Sequence, residues 1–142
     1  MDHVVYLDAK AKEMEKIQRG VKTKIIRGAT GPKLPYGKVN KGDVLYFIND
    51  NSEGAIKAKA IVKSVFNSPK MTKEESVELV EANKECLRLS ATQTRRWAGK
   101  RFIVLVEIEA YERIEAMIID KSDFGVMDDW LLVGDVHNVL MI

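Results

Sequence analysis

One cysteine, three prolines and two histidines are all that the 142 residues hold of those types. A single thiol, Cys86, excludes an internal disulfide and any zinc site built from several cysteines. His3 and His137 stand near opposite ends with no ligand cluster around either, so no metal site is expected. Apolar runs are short. The longest cover residues 44–48, 102–106 and 116–119, whereas a membrane helix needs roughly 20 apolar residues. No membrane contact is expected. The opening stretch MDHVVYLDAKAKEMEK mixes acids and lysines where a signal peptide carries an apolar core, which makes the cytoplasm the expected location. There is no P-loop, dinucleotide fingerprint or G-x-S-x-G turn, and no cofactor is expected.

What is present is an ordinary globular composition, 46% hydrophobic and 31% charged, of a length that fits one domain spanning residues 1–142. The net charge is only +2, but it is unevenly spread. Residues 1–41 carry ten Lys/Arg against four Asp/Glu, residues 42–111 eleven against ten, and residues 112–142 two against seven. One face can therefore be basic while the whole is almost neutral, and a basic face suits an anionic partner.

Residues 3–7 read as a strand, and Asp8 as the cap of a helix over 9–19 whose apolar face is Ala11, Met14 and Ile17. Gly20 ends that helix. Residues 22–27 read as a basic strand. They are followed by a turn-rich loop that contains Lys33, Tyr36, Lys38 and Lys41. Strands follow at 43–49 and 55–66, the second with Ile56, Ala58, Ala60 and Val62 alternating against lysines. Thr72 with Glu75 fits a capping box for a helix over 73–89, with Val77, Val80, Cys86 and Leu87 on its inner face. Residues 90–101 read as a polar run. Residues 102–111 form the clearest strand, with shorter ones at 113–119 and 130–133 around an acidic loop at 120–129. Phe47, Phe66 and Phe102 are expected in the core. The strands outnumber the helices and pair mostly in sequence order. That argues for an α+β domain, a small β-barrel of mixed or antiparallel strands flanked by two main helices.

The segment from Gly20 to Arg27 (Gly-Val-Lys-Thr-Lys-Ile-Ile-Arg) carries most of the chemistry. An ammonium at Lys22 and a guanidinium at Arg27, converging on one pocket, would suit phosphate or a polar base edge. The alternative is a row of solvent-facing strand cations. A second basic stretch, Arg95-Arg96-Trp97-Ala98-Gly99-Lys100-Arg101, surrounds one indole with cations. It suits RNA, with cations on phosphate and the ring under a splayed base. The alternative places Trp97 in the core with a charged rim around it.

The order of these elements, with Gly20, Lys22 and Arg27, resembles the ASCH family of the PUA-like superfamily, whose motif runs G-x-K-x-x-E-x-R. Ile17, Thr23, the Gly42-Asp43-Val44-Leu45 step, the helix opening at Thr72 and Trp97-Ala98-Gly99 ahead of the late strand also match. The resemblance covers about residues 1–111. It implies a PUA-like barrel whose basic cleft binds RNA or a nucleotide. Gly20, Lys22, Thr23, Lys24, Arg27, Arg95, Arg96, Trp97 and Lys100 would form that site. Lys33 and Lys38 would widen the charged footprint, and Gly20 would let the backbone approach closely. The motif's acidic position falls on Ile25. In an amidohydrolase branch that deacetylates 4-acetylcytidine, a threonine stands there and the lysine is catalytic, with a helical glutamate. Lys22 keeps the lysine, and Glu74, Glu75, Glu78, Glu81 and Glu85 are available, but Ile25 supplies no hydroxyl or carboxylate. Hydrolysis of an acetylated or otherwise modified nucleoside, with Lys22 catalytic, is therefore the alternative function.

Residues 112–142 lie beyond the resemblance. They are too apolar for a disordered tail and are expected to pack on the barrel or to form a homodimer surface. Asp120, Asp123, Asp128 and Asp129 lack the spacing of a calcium loop and read as solvated acids.

Overall fold

Alternating apolar residues in β-branched-rich stretches give pleated strands with one buried face, and six such strands form a single sheet. The structure, a computed structural model, describes residues 1–120 and 129–141. The strands are β1 (Asp2–Leu7), β2 (Lys24–Ala29), β3 (Val44–Asn49), β4 (Ala55–Asn67), β5 (Phe102–Ile118) and β6 (Trp130–Gly134). They are ordered β2-β5-β4-β3-β1-β6. β1 runs parallel to β3, with Val4 opposite Tyr46, and the other neighbouring pairs are antiparallel. The helices among the described residues are α1 (Glu13–Gln18), α2 (Lys73–Ala82), α3 (Lys84–Leu87) and α4 (Ala91–Trp97), with a 3-10 turn over Val136–Val139.

The architecture is α+β, and the sheet is a half-barrel, open between its edges β2 and β6. Its concave side buries Val5, Leu7, Met14, Ile17, Ile25, Phe47, Val62 and Trp130. A second cluster joins Val4, Ile48 and Ile56 to Leu131, Val133, Val136 and Val139. Among the described residues beyond 111, β6 pairs with β1 and β5 runs on to Ile118, so both continue the sheet. A third cluster, with Ile26, Ile103 and Leu105 on one side and Val80, Leu87 and Trp97 on the other, packs α2, α3 and α4 against β2 and β5.

Several expectations are corrected. The first helix starts at Glu13, not residue 9, because Lys12 takes a left-handed φ of 55°. Asp8 accepts from Ala11 N at 3.0 Å in a turn ahead of it. The expected helix over 73–89 breaks at Asn83 (φ −107°, ψ 10°) and restarts as α3. The polar run at 90–101 contains a helix, α4. Its capping box pairs Ser90 Oγ with Gln93 N, and the Gln93 side chain with Ser90 N. The separate strand at 113–119 belongs to β5, which passes through a left-handed Ala110 (φ 55°) as its register against β4 shifts. Phe66 is 46% exposed rather than buried, since a bulge between Val62 and Ser64 reverses the alternation and turns Val65 inward. Val77 faces outward too, and Phe102 is half-buried. Most of the acidic loop, with Asp123 and Asp128, lies outside the described residues.

Candidate functional site

Arg27 crosses the gap between the two sheet edges. Arg27 shares the concave face of β2 with Ile25, because residues two apart on a strand point the same way. Its guanidinium donates from Nη1 to its neighbour's carbonyl, Ile26 O, at 2.8 Å. From Nη2 it donates to Tyr6 O at the end of β1, at 2.7 Å. Nε lies 3.3 Å from Asp129 Oδ2, just ahead of β6, without hydrogen-bond alignment. Asp129 is held in turn by its carbonyl, which accepts from Tyr6 N at 3.0 Å. Arg27 is therefore a clasp from β2 to the far side of the open sheet.

Two indoles flank the clasp, with ring centres 5.8 Å (Trp97) and 5.6 Å (Trp130) from the guanidinium carbon, inside cation–π range. Trp130 is locked by a buried chain of polar groups. Its Nε1 donates to His3 Nδ1 at 3.0 Å, which makes Nε2 the proton-bearing nitrogen of a neutral His3, donating to Asp43 Oδ2 at 2.8 Å. Burial pushes the Asp43 carboxyl pKa upward. The Asn40 N–H and His3 outweigh that and hold it below the usual carboxylate value.

Around Arg27 lies a cleft of about 370 Å³. The β2 end and the following loop line it with Arg27, Gly28, Ala29, Thr30, Gly31, Lys33, Leu34 and Tyr36. α4, the turn after it and the start of β5 add Arg96, Trp97, Lys100, Phe102 and Val104, and Asp129 completes the described lining. Four cations thus face one carboxylate among the described residues. α4 brings Arg96 there, its guanidinium 4.3 Å from the Trp97 ring centre. Gly28 permits close packing. A Cβ there would stand 3.1 Å from Lys100 Cβ and 3.3 Å from the Phe102 carbonyl. Tyr36 sits edge-on to Phe102, with centroids 5.6 Å apart, and its hydroxyl donates to Ser68 O.

Of the residues singled out from the sequence, the structure brings Arg27, Arg96, Trp97 and Lys100 to one cleft, with Lys33 and Tyr36. The two basic stretches meet in space. Trp97 is 6% exposed, so it belongs to the core while one edge reaches the cleft. The others stand elsewhere. Lys22 is 1% exposed, and its ammonium donates to Leu87 O and pairs with Glu13 Oε2 at 3.4 Å. Burial lowers the Lys22 pKa to about 8, with Glu13 opposing and Arg27 and Lys16 assisting. Gly20 is a helix exit with φ 76°, and a Cβ there would meet nothing within 4 Å. Its left-handed φ is a conformation that glycine adopts without strain. Thr23 spends its N–H on Cys86 O and its carbonyl on Ile108 N. Lys24 donates to Asn83 Oδ1 at 2.9 Å, and Arg95 reaches Thr92 Oγ1 at 3.3 Å. Lys38 is exposed and not among the lining residues.

Sequence reasoning misses Asp129, which reads there as a solvated acid, and Glu13, the counter-ion of Lys22. No local signal marks either, because each pairs with a residue distant in sequence or across a break in the helix. Residues 28–31 read from sequence only as a turn.

Comparison with solved structures addresses the fold. A crystal structure of ASCH from Zymomonas mobilis superposes with a TM-score of 0.66, covering 96% of this chain and 92% of that one at 14% identity. The fold is ASCH-like. A tyrosine-to-phenylalanine variant of that protein aligns with a TM-score of 0.64, covering 91% of this chain and 87% of that one at 14% identity. No protein-family profile and no curated protein sequence matches the chain. The ASCH-like likeness is therefore one of fold, and the chemistry rests on the cleft. No helix among the described residues is long and apolar enough to cross a membrane.

Proposed function

We propose that this chain binds single-stranded RNA or a nucleotide in the cleft between the open edges of the half-barrel, and does so in the cytoplasm. The observation that carries the reading is the convergence of Arg27, Lys33, Arg96 and Lys100 on one concave, partly aromatic site that faces a single carboxylate among the described residues. Cations that line a groove neutralise phosphates and release counterions, while aromatic and guanidinium planes accept unstacked bases. The volume of about 370 Å³ falls in the range of small-ligand sites and suits one nucleotide at a time. Arg27 replaces the expected pairing of Lys22 with Arg27 as the anchor, with Arg96 and Lys100 as its partners. The amidohydrolase alternative gains no support. The ammonium it needs, on Lys22, is spent on Leu87 O and Glu13, and Ile25 is fully buried in the core.

The test is fluorescence anisotropy of a labelled eight-nucleotide RNA across a salt series, for wild type and the Arg96→Ala/Lys100→Ala variant. The double substitution is expected to weaken binding at least tenfold. It should also flatten the salt slope by about 1.4, since each single-strand phosphate contact contributes about 0.7. Unchanged affinity and slope would remove RNA from this cleft.

A further inference from the structure

The cleft contains a donor that its own chain does not satisfy. Arg27 is 7% exposed, and its Nε has no hydrogen-bond partner among the described residues. Buried donors are almost always paired, so an unpaired one in the wall of a cleft marks where an acceptor belongs. A carboxylate lies beside it. Asp129 Oδ2 lies 3.3 Å from Arg27 Nε and 3.5 Å from Arg96 Nη2, one carboxylate oxygen between two guanidiniums, with neither contact meeting hydrogen-bond geometry. A carboxylate in that position stands where the oxygen of an incoming anion would sit.

We propose that this cleft takes a terminal phosphomonoester, on a free nucleotide or at the end of an RNA strand, and that Asp129 selects it over internal phosphodiesters. The inference rests on the nucleotide reading of the cleft. Its physical basis is charge. A phosphodiester carries one negative charge, as does the carboxylate it must displace. Exchange then leaves the cation–anion balance unchanged and adds repulsion from Asp129, still tethered by its carbonyl to Tyr6 N. A monoester carries about −1.5 to −2 at neutral pH and three terminal oxygens. It can bond Arg27 Nε and Arg96 together and outcompete a carboxylate whose contacts are poorly aligned. Lys33 and Lys100, on the same walls, offset the extra charge.

The experiment compares eight-nucleotide RNAs of one sequence bearing hydroxyls at both ends, a 5′-phosphate or a 3′-phosphate. Uridine 5′-monophosphate and its monomethyl ester serve as competitors. Wild type is expected to bind one of the phosphorylated strands at least tenfold more tightly than the hydroxyl-ended strand. The monophosphate should compete at least tenfold better than its methyl ester. Asp129→Asn keeps the backbone bond and is expected to narrow both ratios below threefold by tightening the diester ligands. Arg96→Ala, at an exposed position, should also narrow them, by weakening the monoesters. Equal binding of all strands to wild type overturns the proposal. So does a loss of affinity for every ligand alike in Asp129→Asn, which would mean that the carboxylate reads a base edge. In either case, hydroxyl-ended RNA that still binds and is released by Arg96→Ala/Lys100→Ala leaves the cleft reading standing. If no strand binds even at low salt, both readings fall.

Discussion

Lys22 and Arg27 are both cations, both buried, and five positions apart in one motif-bearing segment, yet the fold uses them differently. The Lys22 ammonium is absorbed by the chain itself, with a carbonyl from α3 and a carboxylate from α1. Arg27 reaches further. Its rigid fork reaches across the sheet opening through Nη2 to Tyr6 O, turns Nη1 back to Ile26 O, and leaves Nε without a hydrogen-bond partner among the described residues, in the wall of the cleft. Burial of a charge is thus no indicator of function by itself. What separates the two is the donor count. A cation whose buried donors are taken up by its own chain holds the structure together, whereas one with an unsatisfied donor at a concave surface is poised for a ligand.

The largest effect that would sharpen this contrast is expected from Lys22→Met. It leaves the Glu13 carboxylate, 4% exposed, without its counter-ion and Leu87 O without its donor. Breaking a buried pair costs about 3–5 kcal/mol, and urea denaturation should show a loss of that size. Adding Glu13→Gln should restore most of it, since the uncompensated charge is then gone. RNA affinity per folded molecule should stay within about twofold, because the side chain is not among those lining the cleft. A large affinity loss in the rescued double variant would break the contrast and return Lys22 to the binding site.

The pH dependence of stability tests the same residue. Its pKa is near 8 in the folded chain, below the ordinary lysine value of 10.5, chiefly through burial. Between those values the unfolded chain holds the extra proton. Wild-type stability should therefore rise with pH through this window, by at most about 3 kcal/mol. The penalty is fully present below pH 8. Burial raises the pKa of Tyr6, Tyr46 and Tyr111, which acts in the opposite sense near the top of the window. The measurement is accordingly the difference between wild type and Lys22→Met at each pH. A flat difference from pH 8 to 10.5 would mean that Lys22 does not titrate there.

Much of this molecule is legible in the sequence where one local pattern decides the structure. β3 and the first half of β5 are short apolar runs rich in β-branched and aromatic residues that read as strand and are strand, and Thr72 with Glu75 forms the capping box its spacing implies. The failures arise where a distant contact or a single residue overrides the pattern. Lys12 turns left-handed and shortens α1, and a bulge in β4 sends Phe66 outward. Ser90 and Gln93 form the same kind of box as Thr72 and Glu75, but the following residues lack an apolar face long enough to advertise α4. At the site, Arg27, Arg96, Trp97 and Lys100 are visible as residue types. Their meeting depends on β2 pairing with β5 and α4 packing on β2, which no local spacing encodes. Asp129 is invisible as a partner because Arg27 lies on the opposite edge of the sheet.

Arg27→Gln is expected to lower both stability and affinity, which is where the comparison with Lys22 becomes sharpest. Glutamine has no Nε donor and cannot reproduce the fork, so the charge-assisted bond from the guanidinium to Tyr6 O at the end of β1 is lost. The loss should be about 2 kcal/mol. Affinity for RNA, measured on the folded fraction, should fall at least tenfold. Equal affinity with lowered stability would make Arg27 a clasp only, no different in kind from Lys22.

The smallest effect on stability, and the cleanest on binding, is expected at Arg96. Its side chain is 62% exposed and its contact with Asp129 is long at 3.5 Å, so the ion pair contributes little in high dielectric. The remaining support is the guanidinium over Trp97, 4.3 Å from the ring centre; at an exposed site such a contact stabilises by about 0.5–1 kcal/mol. Arg96→Ala should therefore lower stability by no more than about 1 kcal/mol while reducing RNA affinity several-fold and flattening the salt slope by about 0.7. Arg96→Lys separates the two parts of that loss. It keeps the charge, and hence the slope, but gives up the planar surface and the bidentate geometry. Full affinity in the lysine variant would show that Arg96 acts as a point charge. Retained slope with reduced affinity would show that its plane, stacked on Trp97, contributes to recognition, as expected if a base lies against it.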